Sequence, residues 1–91
     1  MPLRKHILVS GNVQGVGYRY FNLKLARGMG VNGWTRNNPD GTVELDIECN
    51  ENIFDDFIER LKTGNHWAKV KNITVEDSSC GESYKTFEIR E

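Results

Sequence analysis

Between residues 42 and 49 apolar and polar side chains alternate without a break. Val43, Leu45, Ile47 and Cys49 fall on one side, and Thr42, Glu44, Asp46 and Glu48 on the other. A period of two belongs to a β-strand with one covered face, and here it puts three carboxylates on the solvated face. Just upstream, Asn38-Pro39-Asp40-Gly41 reads as a turn. Pro39 pre-sets its own φ, Asp40 can accept local backbone bonds, and Gly41 can adopt φ > 0. Residues 31–37 then become the partner strand of a hairpin.

Elsewhere the period lengthens. After Asn50, a residue suited to cap a helix, Ile53, Phe54, Phe57, Ile58 and Leu61 recur on one helical face. Asp55, Asp56, Glu59, Arg60 and Lys62 fill the other face, and Gly64 closes the segment. An earlier helix is predicted over 19–29, with Tyr18, Phe21, Leu25, Ala26 and Met29 as its apolar stripe and Gly28 and Gly30 loosening its end. Strands are predicted over 5–11, 69–77 and 84–90. The apolar phase slips between Val70 and Ile73, which predicts a bulge. The order β-α-β-β-α-β, with room for one further strand, predicts an α+β fold. It is a ferredoxin-like βαββαβ sandwich, an antiparallel sheet with two helices on one face. No linker or repeat interrupts residues 1–91, so one domain is expected.

Composition narrows the function classes. The 91 residues carry 37% hydrophobic side chains and nine glycines, an ordinary globular balance. The longest apolar run is Ile7-Leu8-Val9, far short of the ~20 residues of a membrane-spanning helix, and no signal-peptide pattern follows Met1. Twelve basic against thirteen acidic residues leave a net charge of -1, so no global field recruits nucleic acid or a membrane. Cys49 and Cys80 are too few for a disulfide framework and read as unpaired thiols of a cytoplasmic protein.

Most catalytic constellations are absent. There is no Cys-x-x-Cys, and only His6 and His66 offer imidazole. His6 reads as a surface or sheet-edge residue. Glu44, Asp46 and Glu48 fit a solvated sheet face better than a metal cluster. The segment Gly11-Asn12-Val13-Gln14-Gly15-Val16-Gly17-Tyr18-Arg19 is different, because it joins a strand to a helix and contains three glycines in seven residues. It matches neither the dinucleotide nor the phosphate-loop glycine pattern. Glycines nevertheless let successive N–H groups converge, and a helix start adds partial positive charge. Arg19 in the first turn conflicts with that charge, and an anion held there would relieve the conflict. The alternative is a plain strand–helix turn with a surface arginine.

Gly11-x-Val13-Gln14-Gly15-Val16-Gly17-Tyr18-Arg19, then Ala26, then Gly33-Trp34-x-x-Asn37-x-x-Asp40-Gly41-x-Val43-Glu44, resembles the acylphosphatase family over essentially the whole chain. The resemblance implies hydrolysis of acyl phosphates to carboxylate and inorganic phosphate, with Arg19 and Asn37 as catalytic residues. Arg19 would bind the phosphate together with backbone amides of Gln14, Gly15, Val16, Gly17 and Tyr18, and Asn37 would orient the attacking water. Two departures stand out: Thr35 replaces a usual valine, and Asn65-His66-Trp67 occupies a loop where proline is common.

The implied chemistry suits these residues. The leaving group is a carboxylate whose conjugate acid has a pKa near ~4, so it departs without a general acid. The protein has to hold phosphoryl oxygens, stabilise spreading charge and place one water in line. An asparagine has both a donor and an acceptor for that water. No cofactor or metal is implied, and the partners are a small acyl phosphate and inorganic phosphate acting on a monomer. Trp34 and Tyr20 read as packing or rim residues, and Lys24 and Arg27 as a solvated helix face. The rival reading is a non-catalytic phosphate or carbamoyl-phosphate binding module. An RNA-binding sheet is opposed by Glu44, Asp46 and Glu48.

Overall fold

The alternation over 42–49 becomes strand β3 (Val43–Asn50) at the middle of a five-stranded sheet, in a computed structural model that describes residues 2–79 and 83–90. The other elements are β1 (Pro2–Asn12), α1 (Tyr18–Met29), β2 (Asn32–Asn37), α2 (Glu51–Thr63), β4 (Lys69–Asp77) and β5 (Phe87–Ile89). The strand order is β4-β1-β3-β2-β5. Three pairings are antiparallel, as expected for this fold, and β5 adds a short parallel edge against β2. That edge strand spans three residues rather than the 84–90 expected. Tyr84 leaves the strand because its N–H and hydroxyl are committed to Glu48 and Asp46.

Both helices cover the same face. Val43, Leu45, Ile47 and Cys49 of β3 are buried with Ile7 and Val9 of β1, against Tyr18 and Ala26 of α1 and Phe57 and Leu61 of α2. Burying a side chain of this size stabilises by roughly 1.5–3 kcal/mol, so this cluster carries much of the fold. Burial also pushes the Cys49 thiol pKa up, which keeps it protonated and inert. Cys80 lies outside the described residues. Asn50 caps α2 as predicted, its side chain accepting from the Asn52 N–H at 2.9 Å. Gly64 ends the helix at φ 69°, a positive-φ backbone that disfavours other residues. Among the described helices none is long and apolar enough to cross a membrane.

The predicted bulge falls where the phase slipped. Ser10 pairs with Asn72 and Gly11 with Val70, leaving Lys71 as the extra residue. Gly11 sits at φ 127°, and a Cβ there would run into the Lys69 carbonyl oxygen. The irregularity thus ends the regular part of β1 just before the glycine-rich loop.

Two polar positions depart from the sequence reading. Asn22 lies fully buried on the stripe of α1 between Tyr18 and Ala26, where its Nδ2 donates to Thr35 Oγ1 at 3.1 Å. The threonine that replaces a usual valine therefore satisfies an asparagine on the facing helix. The acidic face of β3 is also not fully solvated, since Asp46 is only 4% exposed. Tyr84 donates to Asp46 Oδ2 at 3.2 Å and accepts from Trp34 Nε1 at 3.2 Å. His6 Nε2 stands 2.9 Å from Glu44, on a strand that is second from the edge.

Candidate active site

The site is assembled at one end of the sheet. Val43, the first residue of β3, pairs with Val9 of β1 on one side and with Asn37 of β2 on the other. The loop after β1 and the last residue of β2 therefore flank the same strand, about two strand spacings (~9.5 Å) apart. A chain whose two motifs lie far apart in sequence brings them together by strand order alone.

The loop itself is shaped by glycine. Gly15 and Gly17 both adopt left-handed backbone, at φ 74° and φ 76°. Any other residue would be disfavoured there by roughly 1–2 kcal/mol. Gly17 is the N-cap of α1, with no side-chain cap and no acidic residue in the first turn. The positive end of the helix dipole and its free N–H groups thus remain unneutralised by any carboxylate of that turn. Tyr18 anchors the start of the helix, its hydroxyl donating to the Leu61 carbonyl of α2 at 2.9 Å. Burial raises the phenol's pKa well above its ordinary value, so it stays a neutral donor.

Gln14 braces the loop against the hairpin that carries Asn37. Its Nε2 donates to the carbonyl oxygens of Asn38 at 2.7 Å and Thr42 at 2.9 Å. The hairpin turn is rigid in its own right. Asn38 N–H donates to Thr42 O, and Asp40 Oδ1 accepts from both the N–H and the hydroxyl of Thr42. Those two bonds hold the Asp40 carboxyl below its usual pKa.

Five of the sequence-derived residues, Gly15, Gly17, Tyr18, Arg19 and Asn37, line one cavity of about 180 Å³. Gln14 and Val16 do not line it. Gln14 is committed to the hairpin, and Val16 lies toward Trp67 on the other flank of the loop. Among the described residues Arg19 has neither an ion-pair nor a hydrogen-bond partner. Asn37 Oδ1 is buried, also without a partner. Leaving a buried acceptor unsatisfied costs roughly 1–3 kcal/mol, which is unusual for a residue that lines a cavity.

Sequence reasoning missed part of the rim. Ile89 of β5 lines the same cavity and is 39% exposed, and no motif marks it. Tyr20, read as a rim residue, is 59% exposed at the cavity, with Lys24 Nζ 5.6 Å from its ring centre. Arg27 is not simply solvated, since it donates to the Phe87 carbonyl at 3.2 Å and ties α1 to β5. No group of three or more acidic, histidine or cysteine side chains capable of holding a metal occurs among the described residues.

A sequence profile described as Acylphosphatase matches residues 5–89. An acylphosphatase of Bifidobacterium longum is 41% identical over 98% of this chain and 93% of its own length. One from Moorella thermoacetica is 44% identical over 97% and 94% respectively. The crystal structure of acylphosphatase from Bacillus subtilis superposes over the whole of both chains with a TM-score of 0.92 at 38% identity. Profile, near-full-length identity and fold agree: the chain belongs to the acylphosphatase family.

Proposed function

We propose that the protein hydrolyses the carboxyl–phosphate bond of acyl phosphates, releasing a carboxylate and inorganic phosphate. The observation that carries this reading is that Arg19, uncommitted among the described residues, and Asn37, with its orphaned amide oxygen, line one glycine-lined cavity. Membership of the acylphosphatase family supports the same reading.

In the scheme, the phosphoryl group enters with its oxygens toward Arg19 and the N–H groups of the loop between Gln14 and Arg19. Arg19 supplies a forked, permanently charged donor, and the amides of the helix start complete the cradle. Both are fixed in place before the reaction, which is what lets them stabilise charge spreading over the equatorial oxygens. Asn37 Oδ1 accepts one hydrogen of a water and holds that water's oxygen in line with phosphorus. As the P–O bond to the carboxylate breaks, the water oxygen bonds to phosphorus. Its proton passes to a phosphoryl oxygen, and the carboxylate leaves as an anion. The positive charge comes from the chain itself, so the scheme uses no metal. Every group comes from one chain, so a monomer suffices.

The test is turnover of acetyl phosphate and benzoyl phosphate beside p-nitrophenyl phosphate, with and without a chelator. Hydrolysis of the two acyl phosphates is expected, with little attack on the monoester and no effect of chelation. Tight phosphate binding without any acyl phosphate turnover would overturn the enzymatic reading in favour of a binding module.

A further inference from the structure

The segment between α2 and β4 departs from the family's common proline-bearing pattern, and Asn65 gives that departure a role. Its side chain is used at both ends. Asn65 Nδ2 donates to the Val16 carbonyl oxygen at 2.8 Å, while Asn65 Oδ1 accepts from the Ala68 N–H at 2.7 Å. The assignment of its oxygen and nitrogen is forced by chemistry. Exchanging them would set two acceptors against each other at Val16 and two donors at Ala68.

We infer that Asn65 is a positioning residue of the anion cradle, fixing the direction in which the Gly17 N–H points; this rests on the acyl phosphate reading of the site. Within a trans peptide unit the carbonyl of one residue and the N–H of the next project to opposite sides of a single plane. Val16 O and Gly17 N–H belong to one such unit, and no cis peptide occurs among the described residues. Drawing the Val16 oxygen toward Asn65 therefore turns the Gly17 N–H away from the 65–68 turn, toward the cavity that Gly17 lines with Arg19 and Asn37. Without that bond the unit has a freedom that most loops lack. Gly17 bounds it on the C-terminal side, and glycine lets its φ turn at little steric cost.

A second tie brackets the same glycine from its other side. Tyr18 donates its hydroxyl to Leu61 O, so the residue after Gly17 is held by the last turn of α2 and the residue before it by the turn that follows that helix. Gly64 ends that helix with its N–H on the Arg60 carbonyl at 3.1 Å, and Asn65 follows directly. The cradle's orientation is thus set from the end of the second helix and the turn after it, although no residue of either lines the cavity.

Two variants separate positioning from turn structure. Asn65→Ser keeps an oxygen able to accept from the Ala68 N–H but is too short to reach Val16, whereas Asn65→Ala loses both bonds. The probe is inorganic phosphate, followed by the ¹⁵N–¹H shift of the Gly17 amide and by the inhibition constant against benzoyl phosphate. Both variants should weaken phosphate about tenfold, the upper end of what one neutral hydrogen bond contributes. Both should also shrink the Gly17 shift, with KM rising in step. If Asn65→Ser bound phosphate as the unaltered protein does, Asn65 would only cap its turn and the inference would fall. A Gly17 amide that stayed silent while the unaltered protein bound phosphate would also overturn it. An unaltered protein that neither bound phosphate nor turned over acyl phosphate would instead defeat the functional reading on which the inference rests.

Discussion

Two arginines mark two ways of treating a charge. Arg36, on the sheet face away from the helices, directs Nε and Nη2 at Glu44 Oε1, each at 3.0 Å, and its guanidinium lies 5.2 Å from the centre of the Trp34 ring. Glu44 is satisfied again by His6 at 2.9 Å, and Trp34 has a second guanidinium, Arg90, at 5.2 Å. Arg36, Glu44 and His6 answer one another, so this cluster ties β2, β3 and β1 together and its arginine is already committed. Arg19 stands at the opposite extreme, in a half-buried position with no partner among the described residues. The comparison separates electrostatics that stabilise a fold from electrostatics reserved for a visitor, in a chain whose net charge of -1 conceals both.

The same substitution at both arginines should break the symmetry most sharply. Arg19→Gln is expected to lower kcat/KM for benzoyl phosphate at least ~100-fold, the scale of losing a preorganised charge donor, and to abolish inhibition by phosphate. Steady-state kinetics with phosphate as inhibitor would measure both. Next in size comes Asn37→Ala, which should lower kcat roughly 100-fold while leaving phosphate affinity nearly unchanged. Its melting temperature should not fall, because the change removes an unsatisfied buried oxygen. A parallel loss of phosphate binding would instead make Asn37 an anion ligand. Arg36→Gln is the smallest effect: turnover within about twofold, and stability lower by less than ~1 kcal/mol in denaturant titration.

The inner architecture was legible because its chemistry repeats. The alternation of β3, the apolar stripe of α2 with its Asn50 cap, and the phase slip at the β4 bulge each follow from local spacing. Asn22 was not legible, since a polar residue on a helix stripe is tolerated only if a distant partner answers it. That partner, Thr35, is supplied by the fold. Asp46 was misread as solvated for the same kind of reason. Alternation identifies the face a residue occupies, but it says nothing of a Tyr84 arriving from much later in the chain. Arg19 and Asn37 stood out through the motifs around them. Gln14 stood in the same motif, but its bonds to the hairpin, like the places of Asn65 and Ile89 beside the site, depend on strand order and helix packing, which local spacing does not encode.

Val43 sits between Val9 and Asn37, and this has a kinetic consequence. The β2–β3 hairpin closes through a short turn and is a fast, local event on the folding clock. Pairing β1 with β3 must instead close a loop containing all of α1 and β2, a slower step in chains dominated by non-local contacts. Only that second pairing brings the glycine loop alongside Asn37. A refolding chain with both helices and its hairpin already formed would still be chemically silent, and the return of turnover would time the arrival of β1.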